Sequence, residues 1–561
     1  MNAAGRHMAL RDPATVMRLK RLGSLHQCRL SFMRTLTRRM ARDAWEFSTP
    51  VFEIDAAGVG HAIYCAKGPK RTYSLIAFAH DLPAELRSDR VIAEAWDATF
   101  TLFDGVPTSA DIARLAQNVP LQEAGRITES ELSLSRANRS VRLWAHVVDR
   151  LATGQQPDTD QLDKVGYLMR TTAVYGSGKF GAADREMVAD RTELQSPFQA
   201  EMLSVYLTRQ FTRDLVQHMA RIKGGDTAVD LAPPLARRLG IGNSTGLGMA
   251  PFIVNHPVLF NNWIIAREEA IARVRNRTTA SVDEQTMFLR LLNQSIASVG
   301  RWQSTHPIQV EKLKGLKADI KALQGHLTQG VLSGPAPWDR LMTWSQDHLS
   351  EEGQELIASL LLEPHGDLVD DLTACMSDAN PAAFQIEGAM TLDALSVLLH
   401  TSFGWAFDLD WEAKDHCARL WYISAEKLEP RLGERFEESI EAYEQPLTPA
   451  RDAALAWADV QTYAQTLKVA DFLRHHPEHR HTVRRAQMSV LAPYGEIRDN
   501  TISADVLPID MLRAKLSFFG AIHFDPRSDR WVRICMYAGA PYPEELTTEN
   551  ADFWVYPEVT A

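Results

Sequence analysis

Apolar positions along the chain change period several times. Over 13–44, Val16, Leu19, Leu22 and Leu25 recur at helical spacing, and Leu30, Phe32, Met33, Leu36 and Met40 continue it, which predicts helix. From 45 the pattern turns to aromatic and β-branched alternation. The stretches 45–54, 60–66 and 72–79 are separated by the turn pairs Ala57-Gly58 and Gly68-Pro69 and read as a small antiparallel meander. Residues 91–103 add a strand or two. Helical spacing returns over 109–118 and 135–152, the second carried by Val141, Leu143, Trp144, Val147, Val148 and Leu151. Further helices are predicted over 197–222, with Ser196 as cap and Pro197 in the first turn, and over 257–275, 281–329, 338–362, 366–376 and 448–474. Residues 480–491 read as a strand.

Three stretches share an order of aromatic strand, acidic turn and aromatic strand: 45–64, 403–422 and 519–537. They are taken as three helix-plus-hairpin units that are repeated or meet in one sheet. The fold class expected is α+β and predominantly helical, with a helical central domain flanked by small antiparallel sheet or hairpin elements at both ends. The polar stretch GQQPDTD at 154–160 and the GVLSGPAP stretch at 330–337 mark boundaries. The division is a basic helical arm (1–44), a small sheet with helices (45–153), a helical domain holding two glycine-rich loops (160–330), and helices with two hairpin units (338–561).

Charge changes this picture at one end. The chain of 561 residues has net charge −11, which argues against a general nucleic-acid binder. Residues 1–42 nevertheless hold ten Lys or Arg against one acid, Asp12. That segment reads as a basic arm packed on the acidic body, with an organelle-targeting segment as the other reading. No apolar run approaches the roughly 20 residues a membrane span needs. Five scattered cysteines without a CxxC pair fit a reducing compartment, so a cytoplasmic location is expected.

Candidate chemistry centres on two glycine-rich loops. In the first, Gly240, Gly242, Gly246 and Gly248 surround Asn243, Ser244 and Thr245, and Asn255, His256 and Pro257 open the next helix. Small residues before a helix start let backbone amides approach an anion. There is no Gly-Lys-Ser/Thr of a nucleoside-triphosphate loop, and the glycine spacing misses the dinucleotide fingerprint by one residue. The second loop runs from Arg170 through Tyr175, Ser177 and Lys179: Arg170 suits a carboxylate clamp, Lys179 an anion, and Tyr175 proton transfer. His218 lies four residues after Asp214 on a predicted helix, a general-base spacing. Arg136, Asn138, Arg139 and Arg142 crowd a predicted helix start and offer a basic face. Asp408, Asp410 and Glu412 alternate and read as charges protecting a hairpin edge.

The histidine-rich stretch 475–481 offers ligands for zinc or another divalent metal, which is kept as a third reading, but Pro477 interrupts it and arginines surround it, so it reads first as a basic surface turn and no metal site is assigned. The leading expectation is a cytoplasmic enzyme acting on a small anionic metabolite without a redox cofactor. Its site would lie between the 170–180 and 242–262 loops, with Arg170, Ser177, Asn243, Ser244, Thr245 and Asn255 binding and Tyr175, Lys179, His218 or His256 catalytic. Lyase, hydrolase or transferase chemistry fits, no cofactor class is indicated, and a homo-oligomer stays open. The alternative is a non-catalytic scaffold whose hairpins dock partners.

Overall fold

A computed structural model describes residues 8–83, 95–119, 127–175, 190–243, 257–302, 304, 307–376, 384–411, 421–423, 428–430, 448–498, 508–520, 523–524 and 534–555. Strands β1 (Glu46–Ile54), β2 (Gly60–Lys67), β3 (Thr72–Ala79), β4 (Ala98–Asp104), β5 (Glu131–Arg139) and β6 (Tyr167–Tyr175) form an antiparallel meander. Next to β6 lies β7 (Gly240–Asn243), parallel to it. Apart from these, β8 (Trp421–Ile423) and β9 (Leu428–Pro430) form a separate two-stranded pair. The last strands, β10 (His523–Phe524) and β11 (Ile534–Met536), join beyond β7, giving one sheet in the order β1-β2-β3-β4-β5-β6-β7-β11-β10.

This overturns the expected fold class. The hairpins near the two ends of the chain are not separate small sheets; they form opposite edges of a single nine-stranded, mixed sheet, so two of the three hairpin units do meet in one sheet. Local pattern found both hairpins, but their union depends on β7, a four-residue strand with no apolar alternation of its own. The middle unit departs further. Residues Leu392–Phe403 are helix, Gly404–Ala406 a tight helical turn, and Trp421 pairs with Pro430.

The helix Gln199–Gly224 packs across one face of the sheet. Phe211 meets Tyr64 of β2 and Phe100 of β4 edge-on, while Tyr206 meets Phe47 of β1 and Tyr537 just past β11. Ser196 does not cap it: the residue before the helix is Phe198, in a left-handed conformation at φ 57°. Other assignments change too: the helix expected over 13–44 is three, Pro13–Val16, Leu19–Leu22 and Phe32–Arg42, and the one over 338–362 breaks between His348 and Glu351. Within 135–152, the first residues belong to β5, buried on both faces and so without a period-2 signature, and helix begins only at Trp144. The helix predicted over 448–474 breaks after Val460, where Leu467 and Gln465 carbonyls accept from Leu392 and Asp393. The strand predicted over 480–491 is the helix Arg480–Met488, whose Val483, Ala486 and Gln487 share its buried face.

The main apolar core draws on residues from Val16 to Met376 and from Tyr494 to Val555. Leu332 and Trp338 both belong to it, so the glycine-proline stretch at 330–337 does not divide it. A second core, from Leu392 to Ala486, sits between these two parts of the sequence. None of the described helices is long and apolar enough to cross a membrane.

The basic N-terminal segment turns its charge inward. Arg11 pairs with Glu268 and Glu355 at 2.7 Å, Arg21 with Glu355 at 2.7 Å, and Arg267 with Glu355 at 2.8 Å. Arg34 holds Glu363 through both carboxylate oxygens and reaches Asp552 at 2.9 Å. Arg38 also reaches Asp552, and Arg513 holds Glu352. Burial alone would raise the carboxyls of Glu352, Glu355 and Asp552. Arg513 beside Glu352, Arg11, Arg267 and Arg21 around Glu355, and Arg38, Arg34 and Arg29 around Asp552 instead hold all three well below the usual carboxylate range.

A pH dependence follows. A folded pKa below the unfolded one means that the unfolded chain takes up protons first. The stabilisation is present above the ordinary values of 4.5 for Glu and 3.8 for Asp, and is lost as pH falls through that range toward the depressed folded values. Urea transitions recorded across pH should show stability dropping steeply below about pH 4.5. A midpoint constant from neutrality down to about pH 3 would mean these ion pairs contribute nothing.

Candidate functional site

The sheet face turned away from the Gln199–Gly224 helix is partly apolar. Ile76, Phe78 and Phe103 pack there with Leu115 of the helix Ser109–Ala116. Beside them the same face becomes polar. Phe100 faces the long helix, so its neighbour Thr99 faces away, and Thr99 is the register partner of Arg136 on β5. Two residues on, Asn138 shares that face and pairs with Arg170 on β6. Past the end of β3, the amide of His80 donates to the Asp97 carbonyl at 2.8 Å, continuing the ladder. His80, Asp97, Asn138 and Arg170 thus form a polar row across four strands.

Asp97 and Asn138 lock the β4–β5 edge. The Asp97 amide donates to Asn138 Oδ1 at 2.8 Å, and the Arg139 amide donates to Asp97 Oδ2 at 2.9 Å. That leaves the other end of the Asn138 amide. Its Nδ2 has no hydrogen-bond partner among the described residues, although Asn138 is only 2% exposed. Thr99 Oγ1, at 1% exposure, is in the same condition, as are Arg136 Nε and His80 Nε2. Arg136 lies 4.5 Å over the ring of Trp96, and among the described residues no carboxylate pairs with it. Buried polar groups in folded proteins are nearly always satisfied, and these four atoms on one face have no partner among the described residues, which makes the face a candidate site. Burial lowers the pKa of His80, with Asp97 opposing the shift, so its imidazole is neutral at neutral pH.

This arrangement unites two motifs that the sequence kept apart. Arg136 and Asn138 are on a strand rather than at a helix start, and Arg170 is the cross-strand neighbour of Asn138. Tyr175 closes β6, and Asn243 closes the parallel strand β7 opposite Thr171. The two glycine-rich stretches therefore leave adjacent parallel strands in the same direction. Ser177, Lys179, Ser244, Thr245, Asn255 and His256 lie outside the described residues, as do Gly246, Gly248 and Glu412.

Two of the expected loop glycines serve the sheet instead. A Cβ on Gly240 would collide with the Met536 carbonyl of β11, and one on Gly242 would come within 2.6 Å of the Tyr167 ring. His218 rides the long helix on the opposite face of the sheet. Its Nε2 lies 3.3 Å from the Asp55 carbonyl and its ring meets Phe52, so it is not brought to Arg170. Asp214, its expected partner, accepts instead from the Tyr64 hydroxyl at 3.0 Å and from Gln210 and Arg213.

His80, Trp96, Asp97 and Thr99 were not singled out from the sequence. The one signal was the alternation Ala98-Thr99-Phe100-Thr101-Leu102, which places two threonines on one strand face. No model of a known protein family, no curated protein and no solved structure matches this chain.

Proposed function

We propose that the chain is an enzyme that binds a small anionic metabolite, a carboxylate or a phosphate ester, on the polar face of β4–β6. Arg136 binds the anion with help from Asn138 Nδ2 and Thr99 Oγ1, Arg170 adds positive charge beside them, and neutral His80 moves a proton. One observation carries the reading: Arg136 is a half-buried guanidinium with no carboxylate partner among the described residues, set among donors that also lack acceptors. Arginines elsewhere in the core show the contrast, since Arg11, Arg34 and Arg513 each hold one or two carboxylates. The described cysteines Cys28, Cys65, Cys375 and Cys535 are free thiols, in keeping with a cytoplasmic setting. The scaffold reading needs apolar surface on the hairpins. On the β1–β2 hairpin, Val59 alone among the large hydrophobics is exposed.

The test is thermal shift against phosphate esters, dicarboxylates, amino acids and nucleotides, with Arg136→Met and Asn138→Leu measured alongside the natural chain. A ligand that binds only the folded state raises the midpoint by mass action. Arg136→Met is expected to weaken the responding ligand by about 100-fold, the loss of a charge-assisted pair. The ligand-free variant should be as stable as the parent or more so, because an uncompensated cation has left a half-buried site. No response from any anion, together with a destabilised Arg136→Met, would assign Arg136 a structural role and remove the reading.

A further inference from the structure

Four side chains beside the second core converge outside the sheet. Asp459 lies near the end of the helix Thr448–Val460, His476 follows the helix Val469–His475, and Glu478 and His479 belong to the turn Pro477–His479. One ligand atom from each lies within 4.8 Å of all the others. His479 Nε2 is 2.7 Å from Asp459 Oδ2, and His476 Nδ1 is 3.0 Å from Glu478 Oε1 and 3.7 Å from Asp459 Oδ2.

Pro477, which breaks the helical alignment of His475 with His479, makes this geometry. It ends the preceding helix and starts a tight turn, so that His476 and His479, three apart, face the same point. His475 stays out of the group, its Nδ1 facing the Asp471 carbonyl at 2.9 Å. Three of the flanking arginines are engaged elsewhere, and Arg480 is exposed. Arg474 pairs with Asp471, Arg485 with Glu496, and Arg484 with the Phe384 carbonyl.

A second observation comes from outside the four. The Tyr463 hydroxyl is 3.0 Å from His476 Nε2, the ring nitrogen turned away from the cluster. Histidine ligands of metals are held in this way, by a partner on the far nitrogen that fixes the tautomer and ring direction. The His476 ring also packs against Phe472 and His479, at 4.9 and 5.7 Å between centroids.

We propose that Asp459, His476, Glu478 and His479 bind one zinc ion that ties the end of the Thr448–Val460 helix to the Pro477–His479 turn. Two imidazole nitrogens and two carboxylate oxygens suit zinc, whereas magnesium and calcium prefer all-oxygen shells of six or more. Tetrahedral bonds of about 2.0–2.2 Å separate neighbouring ligand atoms by roughly 3.3 Å, inside the range of distances present. Four protein ligands fill the coordination sphere, so the site is structural and leaves no position for a substrate.

The experiment uses the full chain, stripped with chelator and titrated calorimetrically with zinc chloride alone, then with magnesium and calcium chloride. One equivalent of zinc is expected to bind and raise the unfolding midpoint, with neither other ion competing at equal concentration. Glu478→Gln, at an exposed position that cannot unfold the chain, should bind zinc at least tenfold more weakly. Tyr463→Phe, which touches no metal, should lose about tenfold through His476 orientation. His475→Ala should bind as the natural chain does. A folded natural chain that binds no zinc overturns the proposal. So does zinc binding that survives unchanged in both Glu478→Gln and Tyr463→Phe, or that is lost in His475→Ala.

Discussion

A chain from which residues 1–42 are removed is expected not to reach a cooperative native state. Eleven apolar side chains between Val16 and Met40 are at most 1% exposed, all within the main core. Each contributes about 1.5–3 kcal/mol on burial, against a total domain stability of about 5–15 kcal/mol. Backbone ordering of the segment offsets part of this. The deletion also strips cations from Glu355, Glu363 and Asp552, and unpaired buried charge is costly. Circular dichroism and urea titration of the truncated chain should show no sigmoidal transition, and residues 1–44 supplied in trans should restore one. A truncated monomer with a cooperative transition near that of the full chain would return this segment to the role of a surface arm.

Replacing Glu355 with alanine is expected to destabilise the chain by about 3–5 kcal/mol, the usual cost of removing one partner from a buried ion pair. Glu355 is fully buried and accepts from Arg11, Arg21 and Arg267. Its loss leaves Arg21 without its closest carboxylate, and Arg11 and Arg267 sharing Glu268. Glu355→Gln tests charge separately from shape. It fills the same space, and its amide adds donors among groups that are themselves donors, so it should lose most of the same energy. A shift below about 1 kcal/mol in the urea-derived stability of Glu355→Ala would place these pairs with the weak surface type.

Both predictions turn on charge that the sequence displayed but could not direct. Ten basic residues in 42 suggested a surface to be covered by something acidic. The carboxylates that cover it come from positions 268 to 552, and no local pattern links Arg34 to Asp552 across 518 residues. The candidate site was legible to the same degree. Arg170, Arg136 and Asn138 drew attention as residue types suited to anions. Their meeting depends on antiparallel pairing of β5 and β6, which a helical reading of 135–152 hid.

What the sequence determined by itself is local. The helix Pro257–Arg275 starts and ends where its proline and apolar spacing say, and the β1–β2 hairpin turns at Ala57-Gly58, because propensity and turn chemistry act over a few residues. Tertiary structure alone decided the rest. It joined hairpins near the two ends of the chain through the four residues of β7, and made β5 a strand by burying both its faces. It also broke the helix after Val460 so that backbone near Gln465 could pair with the start of the helix Leu392–Phe403. The physical reason is common to all three. Burial and hydrogen bonding to distant chain outweigh a local preference worth less than about 1 kcal/mol per residue.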